Sequence, residues 1–202
     1  IDNDNNGYID DVNGWDFVDA PELGSIALGD YTQQDNNPED ELGHGTHVAG
    51  IISADSNNDV GITGISWNSK LLIIRSGFKT LNGGYLQDDD AAAGIIYAAD
   101  MGADVINLSW GDTNYSQIIA DACYYAYNKG SIIVVAAGNE GDDANNHSPA
   151  RANGLNVWTI SAVDVGDTMP SWSNYGSPVD FAAPGVGIFS LWKNGGTNTI
   201  SG

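Results

Sequence analysis

Residues 105–141 read VINLSWGDTNYSQIIADACYYAYNKGSIIVVAAGNEG, and this stretch decides the fold. Two short β-branched apolar runs, Val105–Leu108 and Ile132–Ala137, flank a segment with helical character, Tyr115–Lys129, that stops at Gly130. Apolar runs without alternation suit strands buried on both faces of a parallel sheet. A glycine just past the last helical residue suits a helix C-terminus. The same pattern continues outward. Upstream lie a strand-like run at Leu71–Ile74 and a helical segment at Asp88–Met101, closed by Gly102. Asp88, Asp89 and Asp90 put negative charge where a helix N-terminus favours it. Downstream lie Val157–Val163 and, more weakly, Val179–Ala182. This alternation predicts an α/β fold: a doubly wound, mainly parallel sheet with helices on both faces and right-handed crossovers. Residues 21–42, polar and punctuated by Gly and Pro, read as a surface connection. No repeat or boundary interrupts 1–202, which reads as one unit.

Composition narrows the function. Apolar residues make up 42% and charged residues 16%, which fits a globular chain with a large core. Against 27 Asp and Glu stand 6 Lys and Arg, a formal net charge of −21. Such a chain is repelled by nucleic acid and by anionic membranes. Its carboxylates suit a salty or calcium-containing exterior, and a secreted protein is expected; a monomer is expected as well. No apolar run reaches the roughly 18 residues that span a bilayer. Cys123, among Ile118, Ile119, Ala122 and Ala126, reads as a buried, inert thiol.

In an open parallel sheet, function gathers at the carboxyl ends of the strands. Val105–Leu108 runs into Ser109-Trp110-Gly111, and Ile132–Ala137 into Gly138-Asn139-Glu140-Gly141. A third segment, GHGTHVAG (43–50), opens an apolar helix with a histidine between two glycines. Taken singly, Asn139 could be a turn former and His44 a capping residue. His44 and His47, three apart, could share a metal, but no third ligand is evident. A separate stretch, Asp2-Asn3-Asp4-Asn5-Asn6-Gly7-Tyr8-Ile9-Asp10-Asp11, has oxygen ligands at alternating positions, a Gly for the sharp turn and an apolar Ile. It is close to the first ten positions of an EF-hand loop. The expected calcium ligands are the side chains of Asp2, Asp4 and Asn6, the carbonyl of Tyr8, and Asp11, with Asp10 as substitute. The pattern departs from the full loop at Asn13, where a bidentate Glu is usual.

GHGTHVAG matches the active-site histidine motif of the subtilisin-like serine proteases. Ser109-Trp110-Gly111 resembles the family's substrate-binding Ser-x-Gly, AAGNEG (136–141) the stretch with its oxyanion asparagine, and FAAPG (181–185) its Ala-Pro-Gly segment. ISG (200–202) is similar to the residues leading into the nucleophile motif. The resemblance covers residues 43–202, with the motifs in the family's order. It implies a serine endopeptidase acting on extended protein or peptide substrates, with His44 as general base and Asn139 as oxyanion donor. It implies backbone pairing of substrate with Ser109–Gly111, with Trp110 as an apolar wall suited to bulky apolar side chains. A cis proline is expected at Ser148-Pro149, and SNNDVGI (56–62) looks like a family calcium loop using Asn58, Val60 and Ile62. His147 reads as a surface residue. Neither the triad aspartate, in Asp-Thr/Ser-Gly, nor the serine, expected two places past Gly202, occurs in 1–202. The chain is therefore expected to be part of a peptidase domain and inactive alone. The alternative is a catalytically dead, calcium-dependent peptide-binding scaffold. A nucleotide-binding α/β protein would need a Gly-rich phosphate loop, and none is found.

Overall fold

The computed structural model describes residues 2, 4–152 and 157–202. Of the acidic loop 1–13, Ile1 and Asn3 lie outside the described residues. The chain divides into two compact units, Ile1–Gly94 with Ser190–Asn198, and Ile95–Phe189 with Thr199–Gly202.

Unit 1 is built on two small sheets. Strands β1 (Gly14–Asp16) and β3 (Ile73–Arg75) pair in parallel. Strands β2 (Ala27–Leu28), β4 (Gly77–Thr80) and β5 (Gly83–Leu86) form an antiparallel sheet in the order β2-β4-β5. That sheet falls partly in the expected surface connection; its strands are too short and glycine-rich to announce themselves. The expected run Leu71–Ile74 is strand only from Ile73. Val18, Ala27 and Phe78 form a core cluster, with Leu23 and Tyr31 against it. Helix α1 (His44–Ser53) starts where expected. The segment from Ser190 belongs to this unit and includes most of β10 (Ile188–Trp192) and the start of β11 (Gly196–Ile200). Helix α2 (Asp88–Asp100) begins here, and Asp90 in its first turn is buried.

Unit 2 carries the parallel sheet that the sequence predicts. Strands β6 (Val105–Leu108), β7 (Ile132–Ala136), β8 (Val157–Val163) and β9 (Val179–Pro184) lie in the order β6-β7-β8-β9, all parallel. Helix α3 (Gln117–Lys129) connects β6 to β7. Ser116 caps its start and Gly130, at φ 103°, ends it. One expectation needs correction: burial is not continuous along these strands. Ile106, Leu108, Ile133 and Val135 are buried while Val105 is 56% exposed, because the pleat sends alternate side chains to opposite faces. Cys123 is buried as expected, and burial pushes its thiol up to about 12. No helix among the described residues is long and apolar enough to cross a membrane.

Candidate active site

In unit 1, His44 is the first residue of α1. The helix is begun by Asp40, which the sequence reading passed over. One of its carboxylate oxygens accepts from the Leu42 and Gly43 N–H groups at 2.9 and 2.6 Å. The other accepts from the Thr46 N–H and hydroxyl, both at 2.7 Å. A carboxylate satisfies the orphan N–H groups of a first turn and complements the helix dipole. Although its partial burial works the other way, these bonds hold Asp40 below the usual carboxylate range. Gly43 has φ 108°, and a Cβ there would come within 2.3 Å of the Trp192 ring. A Cβ at Gly50 would stand 2.6 Å from Ser190 Oγ, which donates to the His47 carbonyl at 2.8 Å. Two glycines of the octapeptide thus let the β10 segment close on the helix. His47 is buried, edge-on to Trp192. The His44 ring reaches solvent on a crowded surface. Loss of hydration there lowers its pKa, His47 adds to the lowering, and the Asp40 charge opposes it.

In unit 2, a cleft at the carboxyl ends of β6 and β7 is lined by Ser109, Trp110, Gly111, Ala136–Glu140, His147 and Ser148. It brings together every site residue that the sequence assigned to this unit. The turn 138–140 that lines it is held by Asn174, which is fully buried. The Asn174 amide nitrogen donates to the Ala137 carbonyl at 3.0 Å and to Glu140 Oε2 at 2.8 Å. Its oxygen accepts from the Glu140 and Asp142 N–H groups, both at 3.0 Å. A Cβ on Gly138 would stand 2.3 Å from Asn174 Nδ2, so only glycine fits, at φ 108°. Asn139 projects from this turn, and its own N–H donates to Glu140 Oε2 at 2.8 Å. The Gly202 N–H donates to the Gly185 carbonyl at 3.0 Å. The Asn139 side-chain nitrogen is then 3.7 Å from where a Cβ on Gly202 would stand. The ISG and FAAPG segments therefore meet the asparagine turn at one edge of the sheet.

The remaining wall comes from the Ser148 segment. Asp112 and Ser148 exchange backbone hydrogen bonds at 2.9 and 3.0 Å, and a Cβ on Gly111 would lie 2.9 Å from the Ser148 carbonyl. Ser148-Pro149 is cis, as expected. His147, expected at the surface, is instead buried at the end of the 3-10 turn Ala144–Asn146. The polarity of its loop hid this, since the turn packs inward through Ala144 and Ala150 onto Ala137.

The acidic loop folds back on itself. Asp2 accepts from the Asn6 and Gly7 N–H groups at 3.1 and 3.0 Å. The Asn6 side-chain nitrogen donates to Asp4 at 3.2 Å and Asp11 at 2.9 Å. Two of the expected carboxylates, Asp4 and Asp11, therefore gather round the Asn6 side-chain amide, while Asp2 closes on the Asn6 and Gly7 backbone N–H groups, N–H donors standing in place of positive charge. The Tyr8 ring packs edge-on against Trp15 and Phe17, tying the loop to β1. At the second expected calcium loop, the Asn58 side chain accepts from the Val60 N–H at 3.1 Å, a local turn bond. A further carboxylate group, Asp16, Asp30 and Asp35, lies within ligand distance of one another, but Asp16 already holds Arg75.

The family model described as "Subtilase family" matches residues 11–202. The thermophilic serine proteinase of Bacillus sp. (strain AK1) is 43% identical over 182 residues, 88% of this chain and 43% of its own. Thermitase of Thermoactinomyces vulgaris is 39% identical over 191 residues, 95% of this chain and 61% of its own. The chain thus spans about half the length of these relatives. Among solved structures, a protease from Pseudoalteromonas arctica aligns with TM-score 0.79 at 28% identity, over 94% of this chain and 65% of its own. Sphericase aligns with TM-score 0.74 at 32% identity, over 93% and 64%.

Proposed function

Because the chain belongs to the subtilase family, we propose that it is part of a secreted serine endopeptidase that cleaves extended polypeptides. The observation that carries this reading is the meeting of Asn139 with the Gly202–Gly185 pair at the edge of the sheet. If the nucleophilic serine follows Gly202 as the resemblance implies, the carbonyl it attacks lies beside an amide donor. A serine hydroxyl attacks a peptide carbonyl only when a base removes its proton. His44 takes that proton and returns it to the leaving amine. Its lowered pKa keeps the imidazole in its neutral, accepting form near neutrality. Asn139 then donates to the oxyanion that forms. Ser109–Gly111, continuing β6, offers backbone groups for strand addition by the substrate. The full-length protein should label at serine with a fluorophosphonate probe, and His44→Ala should slow peptide hydrolysis by at least about 10⁴-fold. A folded protein that neither labels nor cleaves would end the assignment and favour a binding scaffold.

We further propose that the acidic loop holds a structural calcium through Asp2, Asp4, Asn6, Asp11 and the Tyr8 carbonyl. The donors are hard oxygens, as calcium prefers. The convergence of Asp4 and Asp11 on the Asn6 side-chain amide, and of Asp2 on the Asn6 backbone N–H, supports this reading. With calcium at about 100 times its Kd, chelation should lower the melting temperature by about 5–10 °C. An unchanged melt would remove the site.

A further inference from the structure

His147 lies between two carboxylates in the cleft wall. Its Nδ1 is 3.5 Å from Glu140 Oε2 and its Nε2 is 3.3 Å from Asp142 Oδ2, while its side chain is 4% exposed. A neutral imidazole carries one N–H and can donate to only one of these acids; the imidazolium donates to both. The two acids face opposite nitrogens, so no single ion could bridge the ring to both in place of the proton. The other charged groups nearby are Asp112, paired through its backbone to Ser148, Asp143, whose side chain holds Asn145, and Arg151. The Arg151 N–H donates to the His147 carbonyl, but its guanidinium lies over the Tyr115 ring, 5.0 Å from the centroid. Hydrogen bonds from Asn146, the Asp143 N–H and His147 hold Asp142 below the usual carboxylate range, so it stays ionised. Beside the ring, Ser148 Oγ is buried with no hydrogen-bond partner and lines the same cleft.

Resting on the protease reading, we propose that the protonation state of His147 sets the charge of this cleft and so selects the substrate side chain it accepts. Asn139 lines the cleft, which assigns it to the residue whose carbonyl is attacked. With His147 neutral, Glu140 leaves the cleft wall negative, the Asp142 carboxylate lying at the other ring nitrogen, and a lysine or arginine side chain is favoured. With His147 charged, the imidazolium offsets that negative charge and apolar side chains gain. This polar wall stands beside the apolar wall expected from Trp110.

The test uses the full-length protein and two peptides that differ only in Lys or Leu before the scissile bond. The ratio of their kcat/KM values is followed from pH 5 to 9. Both peptides share His44, so its titration cancels in the ratio. The Lys/Leu ratio should rise about 5- to 10-fold with pH, as one unit charge at several ångströms from the substrate ammonium requires. His147→Gln should make it independent of pH, and Glu140→Gln should lower it at high pH even if the first variant fails to fold. Both peptides cleaved with a flat wild-type ratio would overturn the role of His147 and leave the protease standing. Neither peptide cleaved would overturn both.

Discussion

In unit 1 the chain around His44 is tied together by charge, whereas in unit 2 the chain around Asn139 is tied together by amides. Asp40 starts the His44 helix with four hydrogen bonds to a carboxylate. Behind it, Arg75 is buried between Asp16 and Glu41, and Lys193 reaches the Glu41 carbonyl. In unit 2, a neutral side chain, Asn174, makes the corresponding four bonds. A buried ion is tolerated only while its partner is present, and it can discharge by titrating. An amide does neither. The two halves should therefore answer differently to pH and to loss of one partner.

The largest effect is expected at Arg75. Arg75→Met leaves Asp16 buried without a counterion and should cost about 3–5 kcal/mol at pH 8. Burial already raises Asp16 from 3.8 to about 6 despite Arg75. Burial, aided by Asp19 and Asp89, raises Asp90 to about 7. A carboxyl whose folded pKa lies above its unfolded value binds more protons in the native state. The stability these two groups contribute is therefore complete below pH 3.8 and is lost as pH rises through about 6 and 7. The cost of Arg75→Met should shrink at pH 5, where Asp16 is protonated. Urea unfolding of both proteins at pH 5 and 8 checks this, and an equal cost at both would break the contrast.

How far the sequence reveals each arrangement follows from the range of the interactions. GHGTHVAG could be read because it matches a family motif as a contiguous octapeptide and the positive φ at Gly43 is a local demand; the close approach of Ser190 to Gly50 is long-range and leaves no local signal. The strands β6 to β9 could be read because apolar runs and a glycine stop are local signals. Asp40 was harder to see: it lies three residues before the N-cap Gly43, outside the usual capping position, and among many other acids. Asn174 was out of reach, because its partners lie more than thirty positions away in a turn that only folding brings near. His147 was misread for a related reason. Its neighbours are polar, and its burial comes from alanines that pack Ala137 from beneath.

Asn174 also gives the smaller and sharper test. Asn174→Ala removes no charge, but it orphans the Glu140 and Asp142 N–H groups and the Ala137 carbonyl. The cost should be about 1–3 kcal/mol and nearly the same at pH 5 and 8. Asn174→Asp keeps the acceptor for both N–H groups but sets a carboxylate against the Ala137 carbonyl and Glu140 Oε2, where the amide now donates. That variant should behave as unit 1 does: close to wild type when protonated, and weakened as pH rises and the new acid must ionise while buried. A pH-independent cost for Asn174→Asp, in the same urea experiment, would mean that solvent reaches the turn. The neutrality of Asn174 would then not be what keeps Asn139 in place.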